Sequence, residues 1–82
     1  MSITSDQIRA AKAMLRWSGD DLAMAAGLSL STIRRAEAAE GLPQGQQMRT
    51  VIAIKGAFEA AGIEFVGSPE DSPGVRLKTT RR

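Results

Sequence analysis

The sequence predicts a mainly α-helical domain of four short helices closed by a C-terminal β-hairpin. Three observations carry that expectation. Apolar residues recur at three- and four-residue spacing through residues 5–61, as one buried stripe per helix requires. Helix-capping and helix-breaking residues punctuate the pattern at Ser18, Gly27, Ser29, Gly41, Pro43 and Gly45. Beyond Gly62 the apolar period falls to two, which an extended strand satisfies and a helix does not.

Taken in order, Thr4 or Ser5 can cap the first helix, whose apolar face is Ile8, Ala11 and Leu15. Trp17 follows in the link, where core packing is expected rather than stacking on a base. Ser18 caps the second helix, and Asp20 and Asp21 put negative charge in its first turn, where the helix dipole favours it. Leu22, Ala23, Ala25 and Ala26 form its apolar side. Gly27 can take the positive φ of a helix C′ position, Leu28 then turns inward, and Ser29 offers a second cap. The third helix runs to about Ala39. Ile33 and Ala36 form its buried stripe, which leaves Leu30, Ser31, Arg34, Arg35 and Ala38 facing away. Ala23 is small and Ile33 β-branched where these two helices must cross closely.

Gly41, Pro43 and Gly45 mark the next loop. Val51, Ile54, Phe58 and Ala61 give a fourth helix from about Gln47 to Ala61, terminated by Gly62. Ile63-Glu64-Phe65-Val66 and Val75-Arg76-Leu77-Lys78 then alternate as two strands around the turn-forming run GSPEDSPG. Two strands alone are barely stable in water, so the hairpin is expected to pack on the fourth helix, to pair with a second copy, or both. The end of the chain from Lys78 to Arg82 is expected to be mobile. Met14, Met24 and Met48 form no stripe and are expected to fill gaps or sit at surfaces.

Composition narrows the function. With 82 residues the chain supports one small core. Cysteine and histidine are both absent, which excludes disulfides, zinc fingers, thiolate or imidazole metal sites and the usual neutral-pH general base. The nine carboxylates form no convergent catalytic motif. No enzymatic activity, cofactor or metal is expected. No run approaches the ~20 apolar residues that cross a bilayer, and the start MSITSDQIR lacks the basic and apolar regions of a signal peptide, so a cytoplasmic location is expected. The net charge is only +2, but Arg9, Lys12, Arg16, Arg34, Arg35 and Arg49 lie in the helical part, while Arg76, Lys78, Arg81 and Arg82 crowd the end. Such placement suits a polyanionic partner.

The span from Ser18 to Glu40, SGDDLAMAAGLSLSTIRRAEAAE, therefore reads as two short helices joined by a Gly-centred turn, the second carrying paired arginines outward. Through Leu22, Ala23, Ala26, Gly27, Leu28, Ser29, Ile33, Ala36 and Glu37 it resembles the helix-turn-helix of the Cro/cI-type (XRE) family of transcription regulators, over roughly residues 5 to 61. The resemblance implies a lambda-repressor-like four-helix domain whose second helix crosses the phosphate backbone and whose third reads base edges. Carried onto this chain, the DNA-contacting set is Leu30, Ser31, Thr32, Arg34 and Arg35, with Arg49 near phosphate and Ser18, first of all a cap, at the start of the second helix. It also implies an ion pair between Lys12 and Glu37. Gly19 and Leu30 depart from the family, which usually places a phosphate-bonding Gln at the first position and a polar residue at the second.

These readings imply a sequence-specific, double-stranded-DNA-binding regulator acting as a homodimer on a pseudo-palindromic operator. Residues 1–61 would form the DNA-binding domain, and residues 62–82 a dimerising hairpin and basic tail. Leu30 is open to two readings, a contact to a thymine methyl or an apolar surface for a protein. The second reading gives the alternative: a helix-turn-helix interaction module, such as an antitoxin bound to its toxin or a partner of another regulator.

Overall fold

Thr4 and Ser18 each open a helix with a capping box. Thr4 Oγ1 accepts from the Gln7 N–H at 3.0 Å while Gln7 Oε1 accepts from the Thr4 N–H at 2.8 Å. Ser18 and Asp21 repeat the arrangement at 3.1 and 2.8 Å. Each box satisfies two backbone donors that have no partner within the helix, buried ones at Thr4 and exposed ones at Ser18. The computed structural model, which describes residues 3–38 and 48–78, thus starts α1 at Ser5–Leu15 and α2 at Gly19–Ala26. α3 (Leu30–Ala38) and α4 (Met48–Ala60) follow, then β1 (Ile63–Ser68) and β2 (Asp71–Leu77). Four helices and a C-terminal antiparallel hairpin are the expected element order. The loop at Gly41, Pro43 and Gly45, the end of α3 at Ala39, the start of α4 at Gln47, and Arg81 and Arg82 lie outside the described residues.

Of the two candidate caps, Thr4 is the one used, and Ser5 does something else. Fully buried, it donates to the Ala36 carbonyl at 2.6 Å and joins the start of α1 to the end of α3. Ile8, Ala11, Leu22, Ala23, Ile33, Ala36, Ile54 and Phe58 form one core to which every helix contributes. Ala25 is exposed rather than part of the apolar side of α2. At roughly 100° per residue the buried arc runs through Leu22, Ala23 and Ala26, and Ala25 falls outside it. Ala61 likewise lies in the turn after α4 and not within the helix. Met14, Met24 and Met48 are all exposed, Met24 at 82%.

The turn into α3 is fixed by Gly27 at φ +70°, with the Leu28 N–H bonded to the Ala23 carbonyl at 2.9 Å. Leu28 packs against the core as expected.

The hairpin shares the helices' core, because Ile63 is only 1% exposed within it. Trp17 stacks on Phe58 at 5.6 Å between ring centroids, and Phe65 meets Phe58 edge-on at 6.1 Å. Packing on α4 is therefore observed. A second anchor comes from α1: Gln7 Nε2 donates to the carbonyls of Val66 and Gly74 at 3.3 and 2.9 Å. The strands are longer than the alternation alone suggests, pairing as far as Ser68 with Asp71 and leaving only Pro69 and Glu70 as the turn. The alternation stops at Val66 because the register shifts there. Gly67, at φ +74°, faces both Ser72 and Pro73, a bulge in which any side chain at Gly67 would collide with the Ser72 backbone carbonyl. Lys78 belongs to the ordered chain, since its N–H bonds to the Gly62 carbonyl at 2.7 Å.

Candidate nucleic-acid interface

α3 is held from one side and open on the other. Its N-terminus is capped by Ser29, whose Oγ accepts from the Thr32 N–H at 3.2 Å. The same hydroxyl shares hydrogen bonds with Ser31 Oγ at 3.2 Å and Thr32 Oγ1 at 2.9 Å. At the other end, where helix carbonyls lack partners, Ser5 donates to the Ala36 carbonyl and Arg9 to that of Glu37. Arg9 also pairs with Asp6. The expected bond between Lys12 and Glu37 is present at 2.9 Å, with both side chains about four-fifths buried (19% and 18% exposed). Three side chains of α1 thus brace the inner and C-terminal parts of α3. Ile33 and Ala36, both at 0% exposure, complete the hold.

The outer side carries Ser31, Arg34 and Arg35, all exposed, with Thr32 half-buried at its edge. The helical period divides them into two stripes. Arg34 shares a groove of about 290 Å³ with Ser18, Gly19, Asp20, Leu30 and the Lys12–Glu37 pair. Arg35 belongs with the hydroxyls, its Nη2 reaching Thr32 Oγ1 at 3.5 Å. Ser18, Leu30 and Arg34 are thereby brought together, as are Ser31, Thr32 and Arg35. Arg49 lies in the first turn of α4, exposed and separated in sequence from α3 by residues 39–47.

Charge pairing distinguishes the arginines of α3 from most other cations. Arg9, Lys12, Lys55 and Arg76 each face a carboxylate, on Asp6, Glu37, Glu59 and Glu64 respectively. Arg34 and Arg35 pair with no carboxylate among the described residues. Two adjacent, uncompensated guanidinium groups on one solvent-facing helix can each offer a planar fork of donors to an anion or to a base edge. Asp20, also lining the groove, is an opposing charge there, and Glu37 is paired with Lys12.

Leu30 departs from its expected place. It is half-buried rather than facing away, and a Cβ built on Gly19 would lie 3.0 Å from its Cδ1. The helical period alone could not show this, because the residue that accommodates Leu30 is eleven positions upstream on another helix. Arg16, in sequence one basic residue among several, has a defined place here. It stands at the C-cap of α1 in the left-handed conformation (φ +58°), exposed, two residues before Ser18, and without a carboxylate partner among the described residues. The available signal was its spacing from the next helix cap.

No protein-family model, curated protein or solved structure gives a significant match to the chain. Among the described residues no helix is long and apolar enough to cross a membrane.

Proposed function

We propose that the chain is a Cro/cI-type helix-turn-helix regulator that binds duplex DNA through the outer face of α3. The observation that carries this reading is the pair Arg34 and Arg35, uncompensated and exposed on a helix whose opposite side and C-terminus are fixed to α1. A guanidinium already bonded to a carboxylate must break that bond to reach DNA, whereas these two need not. In this reading Arg35 and Ser31, with Thr32 at their edge, meet base edges in the major groove, where a bidentate arginine distinguishes guanine. Arg34, Ser18 and Arg16 lie toward the backbone and set register through phosphates. Arg49 joins them as a phosphate contact from α4.

A homodimer on a two-fold symmetric site is the form of the protein this reading favours. Met48 and Ile52, one turn apart on α4, are 74% and 58% exposed, and Leu77 on β2 is 39% exposed. Met48 and Ile52 lie toward the start of α4 and Leu77 beyond its end; a second copy covering either would bring two α3 helices to one duplex, as a two-fold symmetric site requires. The protein-binding alternative rests on Gly19, which removes a phosphate donor, and on Leu30 as an apolar surface. Leu30 is half-buried with its δ-methyl near Gly19, which reduces that surface, while Gly19 still brings no side chain to phosphate.

The test is a titration of the wild-type protein with a duplex recovered from a random pool, repeated over a range of salt concentrations. Expected is a log–log slope of about −0.9 for each phosphate neutralised, summing over several contacts per protomer. A slope near zero, or failure to recover any duplex, would reject DNA binding.

A further inference from the structure

The space between Gly19 and Leu30 is occupied from one side only. Gly19 opens α2 without a positive φ, so its backbone would accept any L residue, and nothing about its conformation calls for glycine. What limits it is space: Leu30 Cδ1 lies 3.0 Å from the ideal Cβ position. Such an approach is tighter than ordinary carbon–carbon contact of ~3.5–4.0 Å, so a methyl at Gly19 requires the end of the leucine side chain to give by a few tenths of an ångström. Leu30 is also the first residue of α3, and on the helical period it stands directly before Arg34 on the same stripe.

We infer that Leu30 is a positioning residue, whose seat over Gly19 sets the attitude of the first turn of α3 and so aims Ser31, Arg34 and Arg35. It is not a base contact. This inference rests on the DNA-binding reading for its consequence, though the seat itself belongs to the free protein. The α2–α3 pair has a fixed point at the turn, where Leu28 bonds back to Ala23, and another at the crossing of Ala23 with Ile33. The C-terminal end of α3 is separately held to α1 by Ser5, Arg9 and Lys12. The Leu30 contact lies at the start of α2, away from all of these, and steadies the first turn of α3 itself. A leucine does this without offering or demanding hydrogen bonds, so the Arg34 guanidinium and the Ser18 hydroxyl on the same groove stay available to phosphate.

The experiment has two arms, using the full chain. In the first, amide NMR spectra of the DNA-free protein are compared for wild type, Gly19→Ala, Leu30→Ala and the double variant. The expected result is that Gly19→Ala shifts the amides of Ser31, Arg34 and Arg35, and that the same change has no further effect once residue 30 is alanine. In the second arm, each thymine of the selected duplex is replaced in turn by deoxyuridine, which lacks the methyl. Leu30→Ala should weaken binding about tenfold, while wild type and variant respond equally to every deoxyuridine. A thymine whose replacement weakens wild type but not Leu30→Ala would make Leu30 a base contact and overturn the inference. So would additive Gly19 and Leu30 effects on the amide shifts. If no duplex is recovered at all, the DNA-binding reading fails, while the first arm still decides whether Leu30 holds α3.

Discussion

At the scale of single residues, two side chains carry opposite kinds of work. Ser5 is fully buried and its hydroxyl serves the Ala36 carbonyl across two helices. Ser5→Ala removes this buried hydrogen bond, so urea denaturation should show a loss of about 1–3 kcal/mol. A change below about 0.5 kcal/mol, the usual range of surface substitutions, would mean the bond contributes nothing. Arg35 is the reverse case, exposed and dispensable to the fold. Arg35→Ala should leave the unfolding midpoint unchanged yet cost about 1–3 kcal/mol of discrimination at one base position, measured by competition at fixed salt. Equal affinity for cognate and substituted duplexes in wild type and variant would remove Arg35 from the reading face. The sequence alone exposed Arg35 by its place outside the Ile33–Ala36 stripe. It did not reveal Ser5, because a hydroxyl beside a helix start is equally suited to capping, and only tertiary structure decides which carbonyl or N–H it meets.

Between elements, glycine at φ > 0 marks both the α2–α3 turn and the hairpin bulge, with different consequences. Gly27 has open space around its missing Cβ, so Gly27→Ala should cost only the left-handed backbone strain of about 1–2 kcal/mol. At Gly67 the same strain is joined by collision with the Ser72 backbone, and Gly67→Ala should destabilise more. Thermal denaturation of the two variants checks the order, and a Gly27 variant less stable than the Gly67 variant would contradict it. The C′ role of Gly27 was legible because a capped apolar stripe ends there. The bulge was not, since Pro and Gly between two alternating runs suit a loop of several lengths, and pairing across it depends on which residues oppose one another. The four helices and the switch to period two were read from local spacing. Attachment of the hairpin to α1 through Gln7 was not, because a residue engaged in a capping box gives no local sign of its second partners.

Across the whole molecule, Trp17, Phe58 and Phe65 link the α1–α2 connection, α4 and β1 in one aromatic run, so helices and hairpin should unfold together. Phe65→Ala should lower stability by about 2 kcal/mol, less than the 3–5 of a fully buried phenylalanine, with Trp17 emission and far-UV circular dichroism tracing one coincident transition. Two separated transitions would show that the hairpin folds apart from the helices. The central claim, that the open arginine face of α3 reads duplex DNA, meets its most direct test in selection from a random duplex pool. Wild type and the Arg34→Ala, Arg35→Ala double variant would be compared at the same salt, with circular dichroism confirming that both are folded. Wild type should enrich a two-fold symmetric site with half-site centres about 34 Å apart, and the double variant should enrich none. The same site recovered by both proteins would contradict the account.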